Sequence, residues 1–331
     1  MKGKNSLLTA LFVTALGMAQ VQAAEPSVEP RIIGGSTVNH STVPYQVALV
    51  SSGRQFCGGT LISPQWVLTA AHCVERSSAG SVQIRIGVSD LRTSQGETHQ
   101  VSRIYVHENW TGSLANGNDI ALLRLSSNVS SAYTPAKLPT PQIKASLAAP
   151  GQSLKVSGWG RTSRNSNAGS PVLKATNLEV VTNSECTSLM NGISVSGAYI
   201  CGYDRSSTSC NGDSGGPWVA RSGSDYYVFG AVSWGLENCT SATAFTDVTD
   251  YVSWITQKSG ITPDGGGTTP PPPPPPADEC AGVGQWDPYK FYYVGDRAVV
   301  NGFLFESNYN QWGYNPYYDY WGIWSFIKTC N

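Results

Sequence analysis

An all-β fold followed by a small, separate β-rich module is what the sequence predicts. Three observations carry that expectation. The 331 residues include 35 Gly, 10 Trp, 16 Tyr and 8 Phe, while long stretches of helical periodicity are scarce. Between residues 32 and 259, short β-favouring runs alternate with clusters of Gly, Ser, Asn and Pro. From residue 280 the composition changes abruptly, and the last 52 residues hold 16 of the 34 aromatics. A chain of this length favours two or more units over one core.

The N-terminus carries Lys2 and Lys4, an apolar run from Leu7 to Met18, and then Val21-Gln22-Ala23. A basic start, a short apolar stretch and a small-residue site read as a secretory signal over residues 1–23. The run is too short to span a membrane comfortably, and no second long one follows. The expected product is therefore secreted, soluble and without a membrane span, and it is read as a monomer. The chain holds 21 Lys+Arg and 22 Asp+Glu, a net charge of −1, with no basic stripe. Nucleic acid is thereby excluded as a partner. Export favours disulfides among the eight cysteines, Cys57, Cys73, Cys186, Cys201, Cys210, Cys239, Cys280 and Cys330. Spacing alone leaves their connectivity open. No C-x-x-C pair is present, which argues against zinc. No cofactor is expected.

The remaining elements follow in chain order. Residues 24–31 form a short polar pro-segment ending in Arg31. Strands are expected at Tyr45–Val50, Gln83–Ile86, Leu154–Ser157, Leu178–Val181, Pro217–Val219 and Val228–Trp234. Val248, Tyr251, Val252 and Ile255 recur at helical spacing and predict a helix closing the unit that spans 32–259. Residues 260–279 are a linker, with Gly265–Gly267 flexible and Pro270–Pro276 in polyproline II. Seven prolines at about 3.1 Å each make a spacer of roughly 20 Å. Residues 280–331 form the terminal module. So small a unit cannot need every one of its aromatics in a core, and exposed aromatic faces stack on sugar rings.

The chemistry sits in three segments. Asn211-Gly212-Asp213-Ser214-Gly215-Gly216-Pro217 places a serine on a glycine-rich turn, where backbone N–H groups are free to point at a substrate. Thr69-Ala70-Ala71-His72-Cys73 supplies a histidine, and Asn118-Asp119-Ile120-Ala121-Leu122 supplies an aspartate inside an apolar run. A serine hydroxyl needs a base within hydrogen-bond reach, and histidine titrates near neutrality. An aspartate can hold that imidazole's tautomer and stabilise the imidazolium. A solitary histidine is more often a satisfied core residue. Here the order His, Asp, Ser and the run Arg31-Ile32-Ile33-Gly34-Gly35 all lie in register.

These four signatures resemble chymotrypsin/trypsin-type serine endopeptidases, and the resemblance runs from Ile32 to about Lys258. It implies two packed six-stranded β-barrels with a C-terminal helix. It implies His72, Asp119 and Ser214 as the catalytic triad, with the N–H groups of Gly212 and Ser214 as the oxyanion hole. Ser233-Trp234-Gly235 would pair with substrate backbone, and Ser233 would support Asp119. Cleavage after Arg31 would free the Ile32 amine to pair with Asp213, which makes the protein a zymogen. The implied disulfides are Cys57–Cys73, Cys186–Cys201 and Cys210–Cys239. Cys280 and Cys330 are left to bracket the terminal module. Calcium-binding relatives use acidic loop ligands, but Gly87-Val88-Ser89-Asp90 puts Val88 where a glutamate would be expected, so no metal is expected.

Thr208 stands six residues before Ser214, where trypsins carry the aspartate that pairs with Arg or Lys. With Gly235 at the mouth and Thr243 narrowing the depth, the pocket is read as uncharged. Cleavage is then expected after apolar residues, and a separate trypsin-like enzyme is expected to cut at Arg31. Cleavage after Arg or Lys is the alternative, with Asp204 or Glu237 as the acid. A non-catalytic adhesin built on a protease scaffold is the other. Protein and peptide substrates are the implied partners. In the terminal module, Tyr292-x-x-Gly295-Asp296-x-x-Val299, Gly302, Phe305, Gly313, Asn315-Pro316 and Trp324 resemble small chitin- or cellulose-binding modules of bacterial chitinases and cellulases. That resemblance implies an insoluble polysaccharide as partner, with Tyr309, Trp312 and Trp321 as binding residues. Asn310 stands where such modules often have a second aromatic.

Overall fold

The computed structural model describes residues 32–163, 168–263, 280, 283–316 and 323–330. Residues 1–23, read as a signal peptide, residues 24–31, read as a pro-segment ending in Arg31, residues 264–279 of the expected linker, and Trp321 lie outside the described residues.

β1 (Ser36–Thr37) is a short edge strand. The next six strands are β2 (Gln46–Ser51), β3 (Arg54–Ser63), β4 (Trp66–Thr69), β5 (Gln83–Ile86), β6 (Glu97–Val106) and β7 (Ala121–Leu125). They close into an antiparallel barrel in the order β2-β3-β4-β7-β6-β5. Alternation fills its interior: Val47, Leu49, Leu61, Val67, Ile84, Ile86, Leu123 and Leu125 form one buried cluster. The opposite faces of the same strands, including Ala48, Val50, Leu68 and Leu122, join a second cluster with Trp159 and the closing helix. Strands covered on both faces read as unbroken apolar runs, as Val47-Ala48-Leu49-Val50 does.

The second barrel comprises β8 (Ser153–Gly158), β9 (Lys174–Val181), β10 (Tyr199–Tyr203), β11 (Pro217–Ser222), β12 (Asp225–Gly235) and β13 (Thr243–Asp247). Pairing of β8 with both β11 and β9 closes it, and β1 adds to the β9 edge. Its core includes Leu154, Val156, Leu178, Val180, Phe229 and Val232, with Trp218 and Phe245 stacked at 4.3 Å. Five of the six strands read from the sequence fall within observed ones, and the sixth, Tyr45–Val50, begins one residue before β2.

Short helices punctuate the barrels: α1 (Ala71–Val74), α2 (Pro141–Leu147) and α3 (Asn183–Leu189). The predicted closing helix begins as a 3-10 turn at Val248–Tyr251, where the Asp247 side chain accepts from Thr249 N. It continues as α4 (Val252–Ser259) and stops at Gly260 in a left-handed conformation. Val248, Tyr251, Val252 and Ile255 are all buried, as their spacing requires. Four disulfides close the framework: Cys57–Cys73, Cys186–Cys201, Cys210–Cys239 and Cys280–Cys330.

The terminal module is β-rich. β15 (Arg297–Val300), β16 (Phe303–Ser307) and β18 (Trp324–Thr329) form one sheet, and β14 (Phe291–Tyr292) pairs with β17 (Gln311–Trp312). Tyr292, Ala298, Phe305 and Trp324 fill its core. Its Asn301–Gly302 turn lies against α4, where a Cβ on Gly302 would stand 3.3 Å from Ser253 Oγ.

Candidate active site

Asp119 lies at the centre of the site. It precedes β7 and is fully buried. Its position is set by Thr246, whose hydroxyl donates to the Asp119 carbonyl at 2.7 Å, and by Asn118, a positive-φ residue whose N–H donates to Tyr251 Oη at 3.0 Å. The carboxylate receives three donors. His72 N–H reaches Oδ1 at 2.9 Å, His72 Nδ1 reaches Oδ2 at 2.8 Å, and Ser233 Oγ donates to Oδ2 at 2.5 Å. With Nδ1–H committed to a carboxylate, the neutral imidazole has its lone pair on Nε2. His72 is carried on α1, just past the end of β4, and the Cys57–Cys73 disulfide fastens α1 to β3.

The Ser214 turn is pressed against that strand end. Gly58 N–H donates to the Ser214 carbonyl at 2.7 Å, and Gly215 N–H donates to Val232 O at 2.7 Å. A Cβ on Gly215 would lie 2.1 Å from Thr69 Oγ1 and 2.9 Å from Ala70 N. Only glycine lets the turn approach the residues that lead into His72. Ser214 Oγ has no hydrogen-bond partner among the described residues, so the contact with His72 Nε2 is not closed in this state. Catalytic hydrogen bonds are often long before substrate binds. The N–H groups of Gly212 and Ser214 likewise donate to no protein acceptor among the described residues. Gln55, which the sequence reading missed, donates from Nε2 to Gly212 O at 2.8 Å and steadies the loop.

Asp213 is fully buried behind this turn. Gly160 N–H donates to its Oδ1 at 2.8 Å and Cys210 N–H to its Oδ2 at 3.0 Å. Burial raises its pKa to about 6 against the opposing pull of those two N–H donors. No cation pairs with it among the described residues. Ile32 and Ile33 are buried, and Thr208 N–H donates to Ile33 O at 2.9 Å. Gly34, at φ 82°, passes so close to Ser206 that a Cβ would meet its carbonyl oxygen at 2.0 Å.

A cavity of about 300 Å³ opens beside Ser214. All five residues expected to bind substrate line it: Thr208, Ser233, Trp234, Gly235 and Thr243. Thr208 Oγ1 and Thr243 Oγ1 are 3.1 Å apart at its base. Ser209 belongs there too, with Oγ 2.8 Å from Thr243 Oγ1. Its adjacency to Thr208 was the available signal. Glu237 is exposed at the lining's edge. Asp204 does not line the cavity, because Ser206 and Ser207 hold its carboxylate and keep its pKa low.

In the proposed metal-free loop, Val88 is buried and Asp90 is bonded to Arg92. Among the described residues, the one cluster of potential metal ligands is Cys57, His72 and Cys73, and its sulfurs form a disulfide rather than thiolates. In the module, Tyr309 and Trp312 are 59% and 70% exposed. Tyr289 and Tyr293, which the sequence reading did not single out, are also exposed and flank β14, the strand that pairs with Gln311–Trp312. Asn310 serves the fold, its Oδ1 accepting from Val294 N–H at 3.0 Å.

Comparison with known proteins bears on this geometry. The family model described as Trypsin matches residues 32–255. Trypsin I-P38 of Gallus gallus is 35% identical over 253 residues, which cover 74% of this chain and 96% of the relative. Trypsin of Sus scrofa is 35% identical over 236 residues, 69% of this chain and 96% of its own length. Trypsin beta of Drosophila erecta is 34% identical over 254 residues, 75% and 96% respectively.

Proposed function

Because the chain belongs to the trypsin family of serine endopeptidases, we propose that it is a secreted zymogen that cleaves peptide bonds through Ser214, His72 and Asp119. One observation carries this reading: Asp119 accepts from His72 N, His72 Nδ1 and Ser233 Oγ at once, which orients the imidazole and leaves Nε2 as the base. In the mechanism, Nε2 takes the proton of Ser214 Oγ as that oxygen attacks the scissile carbonyl. The unspent N–H groups of Gly212 and Ser214 receive the oxyanion. The imidazolium then protonates the leaving amine, and water repeats the sequence on the acyl-enzyme.

Activation is the second part of the proposal. Cleavage after Arg31 frees the Ile32 amine, and the buried carboxylate of Asp213, which has no cation partner among the described residues, is its partner. A buried charge requires such a partner, so pairing orders the loop that carries Gly212 and Ser214. Cleavage follows uncharged residues, because Thr208, Ser209 and Thr243 give the cavity base no charge. A separate enzyme that cuts after Arg therefore performs the activation. Cleavage after Arg or Lys is the second reading, favoured by Glu237 at the cavity's edge. Its exposure in water makes it a weak partner for a buried cation.

The terminal module tethers the protease to an insoluble polysaccharide, chitin above all. The exposed Tyr309 and Trp312 support this, since flat aromatic faces stack on sugar rings. The test of the catalytic reading is labelling by a fluorophosphonate after processing at Arg31. Labelled wild type with unlabelled Ser214→Ala supports it. An unlabelled processed wild type favours the adhesin scaffold instead.

A further inference from the structure

We infer that the three hydroxyls at the base of the cavity beside Ser214 present hydrogen-bond acceptors rather than donors, which selects substrate side chains that end in a neutral donor, the phenol of tyrosine or the carboxamide of glutamine. The inference rests on the proposed endopeptidase reading and narrows its substrate class. It follows from counting protons. Three hydroxyls form the base: Thr208 and Ser209 at the end of the loop before Ser214, and Thr243 at the start of β13. All three are buried, so each O–H needs a partner.

There are three protons and four contacts, and the two contacts to carbonyls compete for one proton. Thr208 Oγ1 lies 3.0 Å from the carbonyl oxygen of Ser241 and 3.2 Å from that of Ser209. A carbonyl can only accept, so the Thr208 proton goes to the backbone whichever of the two it chooses. The 3.1 Å contact between Thr208 Oγ1 and Thr243 Oγ1 then requires the Thr243 proton. The 2.8 Å contact between Ser209 Oγ and Thr243 Oγ1 requires the Ser209 proton in turn. This is the one assignment that fills both hydroxyl–hydroxyl contacts and also gives Thr208 a carbonyl. It runs Ser209 to Thr243 to Thr208 to backbone, and it leaves no hydroxyl proton for a ligand. What remains toward the cavity is lone pairs, most of all on Ser209 Oγ, which donates and accepts nothing.

A side chain entering this cavity meets acceptors. A carboxylate finds no donor among these three hydroxyls and is disfavoured. A phenyl ring or thioether fills space but leaves the lone pairs without partners. An ammonium or guanidinium finds oxygens but no opposite charge to offset its lost hydration. A phenol or carboxamide of the same shape satisfies the oxygens without that cost. Sites built to bond a substrate O–H or N–H discriminate against the analogue that lacks it.

The experiment is kcat/KM of the full-length protein, processed at Arg31 with immobilised trypsin, on peptides differing only before the scissile bond. Tyr is compared with Phe, and Gln with its near-isostere Met. Each donor-tipped residue is expected to be favoured at least about fivefold, the scale of one net hydrogen bond. In Ser209→Ala, which removes the acceptor with both lone pairs open, both ratios are expected to fall toward one. A structural defect would lower both members of each pair together and leave the ratios standing. Ratios below about fivefold in the wild-type protein, or ratios unchanged in Ser209→Ala, overturn the inference. Should Ser209→Ala fail to fold, the wild-type ratios still decide. Processed protein that takes the fluorophosphonate and hydrolyses peptides with flat ratios refutes this inference alone. Absence of both labelling and hydrolysis refutes the endopeptidase reading beneath it.

Discussion

Gly160 closes directly over the carboxylate of Asp213. Its N–H donates to Oδ1 at 2.8 Å, and a Cβ added to Gly160 would lie 2.5 Å from Oδ2. Two residues 53 positions apart thus form one wall of a chamber with no room for a side chain at residue 160. Gly160→Ala is expected to destabilise the protein by about 1–3 kcal/mol, the usual cost of overpacking, and to impair hydrolysis through the displaced Ser214 turn. Urea unfolding of the unprocessed protein and peptide kinetics after processing measure the two effects.

The same chamber sets a pH dependence. Burial lifts the Asp213 pKa from its ordinary 3.8 to about 6 in the folded, unprocessed chain. Between those values the folded state holds a proton that the unfolded state has released. The group's contribution to stability is therefore fully present below about 3.8 and is lost as pH rises through about 6. Melting temperatures of unprocessed Ser214→Ala protein should show this decline between pH 4 and 6, and adding Asp213→Asn should remove it. An unchanged slope in the double variant would refute the assignment.

Ser233→Ala removes one of the three donors to Asp119. A hydrogen bond to a charged group is worth about 1.5–3 kcal/mol, so kcat should fall roughly 10- to 100-fold. Ser214→Ala should be far more severe, leaving only the roughly 10³–10⁴-fold catalysis over water that survives loss of a triad member. Steady-state kinetics on one chromogenic peptide orders the two variants.

Lys144 on α2 and Asp247 on β13 form a buried ion pair, Nζ to Oδ2 at 2.5 Å. Asp247 also caps the 3-10 turn that leads into α4. Lys144→Met should cost about 3–5 kcal/mol, because it leaves a buried carboxylate without its charge partner. Chemical denaturation of Lys144→Met and of Lys144→Met/Asp247→Asn checks this. The second change should recover part of the loss.

Retention on chitin should depend on the module's exposed aromatics. Trp312→Ala and Tyr309→Ala should each reduce it, and a chain ending at Ile261 should lose it. Activity of that shortened chain on small peptides should be nearly unchanged, since no described residue of the module lines the cavity beside Ser214. Equal pull-down of full-length and shortened chains on chitin and cellulose would show that the module is not the tether.

The sequence by itself determined the class of fold, the approximate placement of strands and the closing helix, and the segments that meet in the candidate site. Each of those is written locally: alternation in Gln83–Ile86, helical spacing in Val248 to Ile255, and contiguous runs around His72, Asp119 and Ser214. The tertiary structure alone decided which distant groups meet. Gln55 steadies Gly212 across 157 positions, Gly160 covers Asp213, and Thr243 links Thr208 to Ser209. It also sorted the module's aromatics, burying Tyr292 and Trp324 while leaving Tyr289, Tyr293 and Trp312 in water. The reason is physical. A side-chain period follows from the backbone of one strand, whereas a hydrogen-bond partner follows from barrel closure and register, which no single stretch of sequence contains.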